Sequence, residues 1–318
     1  MTYSTNNFSI LIQGKYSEKT NDVLRQFREA FPNAEIILSV WQSCIIKDNT
    51  QYADKIIASV DPGATQIIDK NNKVIHTDNS IRQFISFYEA YKVAKNPFII
   101  KWRSDALFNG VKLKRLLFSK DIIDNLQNGR ILVSTFLSLD ASICKDWSGH
   151  ISDWFYISKK ENYKVPSSKT LEKVLNTRLG KLKNDDLLSL NFFGFPISNF
   201  SAEQLMTDLV FNEGNKYFNS KKINNDFSEK FIFVYPQLLD LRVRDKYTSL
   251  TKIRNKIKLL PDFNGFSISE GLFIMVSSKK DLTFNVERKK INKFFYPIRL
   301  LSYKFFLLLK IIKSRWLK

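Results

Sequence analysis

Between Phe8 and Trp102, short apolar runs alternate with segments of helical period, and this alternation limits the fold more than any other feature of the sequence. Phe8 to Ile12 (Phe-Ser-Ile-Leu-Ile) is stopped by Gln13-Gly14, the pattern of a strand buried on both faces. Val23, Leu24, Phe27, Ala30 and Phe31 then recur at helical spacing behind a cap at Thr20 or Asn21, and Pro32-Asn33 ends the segment. Glu35 to Trp41 reads as a second strand, Lys55 to Val60 as a third and Asp61-Pro62-Gly63 as a turn. Asn79 to Ala94 follows as a helix and Phe98 to Trp102 as a fourth strand. Strands and helices in this order imply an α/β fold with parallel pairing and right-handed crossovers. Ligands of such sheets gather at the carboxyl ends of the strands, here Gln13-Gly14, Trp41-Gln42, Asp61-Pro62-Gly63 and Arg103-Ser104-Asp105.

The second half is expected to add mixed strands. Arg130 to Leu139 and Ile151 to Ser158 read as strands, and Ser201 opens a helix through Phe211 with Glu203 in its first turn. Asn219 to Asn225 reads as solvated loop, and neither an internal repeat nor a Pro- or Gly-rich linker divides the chain. A chain that is 44% apolar and 14% aromatic can bury a large core, which excludes disordered and coiled-coil classes. Two cysteines, Cys44 and Cys144, are too few for a disulfide scaffold and point to a reducing, cytoplasmic setting. Met1 to Asn7 lacks the basic and apolar regions of a signal peptide, and the longest apolar runs, such as Phe305 to Leu309, are too short to span a bilayer. With only His76 and His150, and no P-loop or Gly-x-Gly-x-x-Gly, chemistry is left to carboxylates and positioning.

Asn79, Arg82, Gln83 and Ser86 fall at i, i+3, i+4 and i+7 and so share one helical face, where an Arg fork suits phosphate oxygens. The apolar strand before Arg103-Ser104-Asp105 carries a carboxylate to the mouth of the sheet. Asp153 precedes Trp154, Phe155 and Tyr156, aromatic residues suited to a sugar ring, and Asp153 and Glu203 are the two candidates for a general base. Capping of a helix start is the plainer account of Glu203, and pairing with a buried group that of Asp153. Asp185-Asp186 more simply starts a helix. Arg242, Arg244 and Lys246 can close over a diphosphate or lie on a strand's outer face, while Trp41 and Trp102 can stack on a ring or fill core.

Several segments, in order, resemble the WavE lipopolysaccharide-synthesis family: Ile10-Leu-Ile-Gln-Gly, Ala34-Glu-Ile-Ile-Leu-Ser-Val-Trp, Asp61-Pro-Gly, Asn79-Ser-Ile-Arg-Gln, Ile100-Lys-Trp-Arg-Ser-Asp, Ser152-Asp-Trp-Phe and Ala202-Glu-Gln. The resemblance implies a GT-A-like glycosyltransferase with a Rossmann-like mixed sheet flanked by helices, using a nucleotide-sugar donor and a lipid-linked or lipopolysaccharide acceptor. It implies donor contacts from Gln13, Gly14, Trp41, Asp61, Asn79, Arg82, Arg103, Asp105 and Lys246. It also implies a divalent cation, Mn or Mg, on Asp105, although a usual GT-A site has Asp-x-Asp where this chain has Arg103-Ser104-Asp105. The expected domains are 1–285, with a nucleotide-sugar half at 1–110 and an acceptor half at 111–285, followed by a tail at 286–318. A non-catalytic, membrane-recruited binding protein on a degenerate transferase scaffold is the rival.

The tail carries much of the excess charge. Fifty Lys plus Arg against 31 Asp plus Glu leave +19, and from Arg288 to Lys318 there are ten Lys or Arg and no acidic residue. On a helical projection Leu301, Phe305, Leu308, Leu309, Ile312 and Trp316 share a sector that holds no cation. That pattern predicts a basic amphipathic helix on an anionic membrane face, and the chain shows no nucleic-acid-binding pattern.

Overall fold

The computed structural model describes residues 3–44, 51–68, 74–135, 138, 151–166, 202–211, 229–243, 270–276 and 283–290. The first half follows the expected alternation. It runs β1 (Phe8–Gln13), α1 (Glu18–Ala30), β2 (Glu35–Trp41), β3 (Lys55–Ser59), the hairpin β4 (Thr65–Ile68) and β5 (Val74–Asp78), α2 (Ser80–Val93) and β6 (Phe98–Arg103). Then come β7 (Ala106–Leu107), α3 (Gly110–Leu117), α4 (Lys120–Gln127), β8 (Ile131–Ser134), β9 (Phe155–Lys159), α5 (Ala202–Phe211), β10 (Phe231–Val234), β11 (Arg242–Val243), β12 (Glu270–Val276) and β13 (Phe284–Lys290).

One nine-stranded sheet takes the order β13-β12-β10-β8-β9-β6-β1-β2-β3. β3, β2, β1 and β6 pair in parallel, as do β8, β10 and β12, while β9 lies antiparallel between β6 and β8 and β13 antiparallel at the edge. This is a mixed α/β sheet flanked by helices. Of the two reversals, the one at β9 matters most for function, because an antiparallel strand starts where its parallel neighbours end. Asp153, just before β9, is thereby brought to the carboxyl edge, and the Arg103 N–H donates to the Trp154 carbonyl at 3.3 Å.

Every residue of β1 is buried, which explains its unbroken apolar run. Phe8, Ile10 and Ile12 pack with Val23, Leu24 and Phe27 of α1 and with Leu113 and Leu116 of α3. Leu11 packs on the opposite face with Phe84 and Phe87 of α2 and Met206 of α5. Each such side chain contributes about 1.5–3 kcal/mol by leaving water. Trp102 belongs to this core rather than to any stacking surface: it is fully buried, lies 5.0 Å from Phe155 at 12°, and donates Nε1 to the Ala106 carbonyl at 2.7 Å.

Four boundaries differ from expectation by more than one residue, each for a local reason. α1 begins at Glu18 behind Ser17, not Thr20 or Asn21, because the Ser17 N–H donates to Thr20 Oγ1 at 2.9 Å. β8 stops at Ser134 because the chain turns there, with Ser138 Oγ donating to the Ser134 carbonyl at 2.7 Å. The same hydroxyl accepts the Ser152 N–H at 3.0 Å, which holds residues 151–153 outside the ladder and delays β9 to Phe155. β13 carries the sheet through Lys290, so residues 286–290 pair with β12 inside the stretch assigned to the tail. Residues 291–318 lie outside the described residues, as do Asn219 to Asn225, Cys144, His150, Asp185 and Asp186. Among the described residues no helix is long and apolar enough to cross a membrane.

Candidate functional site

The carboxyl ends of β1, β2 and β6 open into a cleft of about 620 Å³, bounded by the start of α1 and by one face of α2. Its lining includes Gln13, Gly14, Trp41, Asn79, Arg82, Arg103, Asp105 and Asp153, together with Lys15, Lys19, Gln83 and Ser86. Strand register arranges the floor. Gln13 pairs with Ser39 on one side and Arg103 on the other, so Ser39, Gln13 and Arg103 form a row across β2, β1 and β6. The face of α2 read from its period, Asn79-Arg82-Gln83-Ser86, forms one wall, and Ser86 Oγ bonds Ser39 Oγ at 3.0 Å.

Gly14 lets the chain leave β1 into this cleft. Its φ is +133°, and a Cβ there would lie 2.5 Å from Ser104 Oγ, which donates to the Lys15 carbonyl at 3.0 Å. On the far wall, Asp61 sits behind Arg82 and does not line the cleft. Arg82 Nε and Nη2 grip its two oxygens at 2.7 and 2.5 Å, and Asp61 Oδ1 also accepts the Gly63 N–H at 2.9 Å. The Arg82 fork holds the Asp61 carboxyl below the usual carboxylate range. Asn79 Oδ1 accepts from Arg82 Nη1 at 3.3 Å, so Asp61 and Asn79 together aim this cation.

Arg103 gathers the acids. Its Nε and Nη2 each meet one oxygen of Asp105 at 2.9 Å, and its Nη1 lies 3.5 Å from Asp153 Oδ2. Burial opposes the Arg103 charge, but Asp153 and then Asp105 outweigh it and raise its pKa above the ordinary value. Beneath lies Lys101, fully buried, whose Nζ donates to the Asp153 main-chain carbonyl and sits 4.9 Å from the Tyr156 ring centroid. Burial pushes its pKa down to about 8, with partial compensation from Asp153. Glu203, in the first turn of α5, also bears on the charge of Lys101 and Arg103, though it is not part of the cleft lining.

A family model described as WavE lipopolysaccharide synthesis matches residues 12–240, a stretch that contains the whole cleft lining. The chain belongs to this family. Its other likenesses are more distant. Two curated 5'-nucleotidase SurE proteins of Clostridium botulinum, strain 657 / Type Ba4 and strain Loch Maree / Type A3, are 29% and 28% identical over 150 residues. Each alignment covers 43% of this chain and 55% of the relative, so the chain spans about half the length of the curated relatives it matches. Among solved structures, glucosyl-3-phosphoglycerate synthase from Mycobacterium tuberculosis, in complex with Mn2+, UDP and phosphoglyceric acid, overlays with a TM-score of 0.36 at 8% identity, covering 90% of this chain and 87% of that one.

In this WavE chain the described residues around Asp105 form no ready-made cage for a divalent cation, which would have to draw ligands from a bound diphosphate as well. Both Asp105 oxygens are taken by the Arg103 fork, and among the described residues no three His, Cys, Asp or Glu side chains converge. Lys246, expected at the donor, lies outside the described residues, as does Arg244; Arg242 is exposed in β11, which pairs with β7. Sequence reasoning passed over Lys101, Lys15 and Lys19. Lys101 had a signal, a lone cation inside the apolar run Phe98-Ile-Ile-Lys-Trp.

Proposed function

We propose that this WavE chain is a GT-A-like glycosyltransferase that moves a sugar from a nucleotide-sugar donor to a lipopolysaccharide, capsule or other lipid-linked glycan acceptor. The observation that carries the reading is the convergence, at one sheet edge, of Arg82 and Arg103 with the recessed carboxylate of Asp153. Transfer breaks the bond between the sugar's anomeric carbon and the nucleoside diphosphate, forms a bond to an acceptor oxygen, and requires a base for the acceptor proton. Arg82 and Arg103, with Lys15 and Lys19, supply the positive charge that the leaving diphosphate needs. Asp153 fits the base better than Glu203, because it lines the cleft beside Arg103 while its main-chain carbonyl is fixed by Lys101. Work at the cytoplasmic membrane face, through the basic tail, belongs to the same proposal.

The test is thermal-shift and calorimetric binding against a panel of nucleotides and nucleotide-sugars, followed by a product assay on a lipid-linked acceptor. Binding with sugar transfer is the expected result. Binding without turnover favours the non-catalytic scaffold, and release of phosphate from a nucleotide favours a hydrolase. Arms with and without manganese report whether Asp105 leaves Arg103 for a cation.

A further inference from the structure

The cleft holds two buried amide oxygens, on Gln13 and Gln83, that meet no hydrogen-bond partner among the described residues. Gln13 closes β1 and is 3% exposed, yet its Oε1 has no hydrogen-bond partner. Gln83, half-buried on α2, likewise has an Oε1 that is out of water and unpartnered. Both residues line the cleft. A folded chain rarely leaves a buried amide oxygen unmet, since that group surrenders its bonds to water for nothing.

The neighbours of these two amides explain why the fold leaves them open. Ser39, beside Gln13 in the strand register, is bonded to Ser86, one turn beyond Gln83, so the two hydroxyls serve each other. Arg103, on the other side of Gln13, turns its guanidinium to Asp105 and Asp153. The acceptor patch is therefore set one strand away from the charged group, roughly 5 Å. Trp41, two residues past Ser39 and so on the same side of β2, adds a flat apolar wall.

We infer that Gln13 and Gln83 seat the hydrogen-bond-donating end of the nucleotide, its ribose hydroxyls or base N–H groups, while the diphosphate extends toward Arg103. The inference rests on the nucleotide-sugar reading and deepens it. A bound donor group completes both amides, and a ligand that lacks such a donor would leave them unpaired, which is a source of selectivity.

The experiment pairs calorimetry with thermal unfolding on the full chain, using UDP, GDP, ADP and CMP, and then the 2'-deoxy, 3'-deoxy and base-altered forms of whichever binds. Gln13→Met and Gln83→Met are expected to weaken nucleotide binding at least tenfold. The melting temperature of the unliganded protein should stay level or rise, because each change removes an unsatisfied buried group. Loss of one hydroxyl or N–H from the ligand should weaken wild type but leave a variant's affinity unchanged, which identifies the group each amide meets. Should both variants bind the nucleotide as well as wild type, or lose melting temperature along with affinity, the amides are structural and this inference falls while the nucleotide reading stands. A wild-type chain that binds no nucleotide or nucleotide-sugar overturns both.

Discussion

Asp105 and Asp153 share one arginine but are held very differently. Arg103 takes both Asp105 oxygens at 2.9 Å and stands 3.5 Å from Asp153 Oδ2, so Asp105 is the more tightly paired of the two, and the proposed base is Asp153. Asp153→Asn should lower transfer about 100- to 10,000-fold, the range of a lost general base, with donor affinity nearly unchanged. Glu203→Gln should cost less than about tenfold, since that side chain lies outside the cleft lining and influences Lys101 and Arg103 through its charge. Steady-state kinetics with donor calorimetry separate the two, and equal loss of donor affinity in both variants would sink the assignment. Lys101 makes a second prediction. Its folded pKa of about 8 lies below the ordinary value of 10.5, so the unfolded chain binds the extra proton between these limits. The cost of burying its charge is complete below about pH 8 and is relieved as pH rises, adding a slope of at most about 1.4 kcal/mol per pH unit. Urea unfolding of wild type and Lys101→Met at pH 7.5 and 9.5 should show a more positive difference in the wild type, over any shared slope from other groups such as the partly buried Lys230; identical slopes would mean Lys101 does not titrate in this window.

The elements differ in how openly the sequence announces them. The wall Asn79-Arg82-Gln83-Ser86 was legible because a period of 3.6 fixes which residues share a helical face, whatever the rest of the chain does. The strand ends Gln13-Gly14 and Arg103-Ser104-Asp105 were legible because parallel strands are buried on both faces and stop abruptly at polar residues. The position of Asp153 could be named but not placed, since nothing local states that β9 runs antiparallel between β6 and β8. The same holds for the pairing of Asp61 with Arg82, which spans 21 residues. The unforeseen hairpin β4–β5 is short on both sides, and α3 and α4 have eight residues each, too few for a period to stand out. At this scale Gly14 carries the clearest prediction. Gly14→Ala forces a left-handed φ on an L-residue and drives its methyl onto Ser104 Oγ, so it should destabilise the fold by about 1–3 kcal/mol. It should also weaken nucleotide binding, and a melting temperature equal to wild type would show that the β1–α1 turn relaxes without cost.

Charge is the property that belongs to the molecule as a whole, and it is unevenly spread. Ten of the 50 Lys and Arg lie between residues 288 and 318 with no acid among them. The structure moves the useful boundary of that segment. Residues 288–290 are in β13, and Arg288 Nη1 meets Glu229 Oε1 at 3.0 Å, so a truncation before residue 288 would tear the sheet edge as well as remove the tail. A truncation after Lys290 leaves β13 whole and removes seven cations, the ten less Arg288, Lys289 and Lys290. If the removed segment lies on a membrane as a basic amphipathic helix, its cations contribute on the order of 1 kcal/mol each at an anionic surface, while its apolar sector adds burial there and none to the sheet core. Co-sedimentation with anionic vesicles should therefore be strong for the full chain, fall steeply with added salt, and be negligible after truncation. The melting temperature should be nearly unchanged, transfer to a soluble acceptor analogue should survive, and transfer to a lipid-embedded acceptor should drop. Aggregation of the truncated chain, or collapse of its melting temperature, would instead make residues 291–318 part of the folded core and leave the excess charge to be explained by a partner other than a membrane.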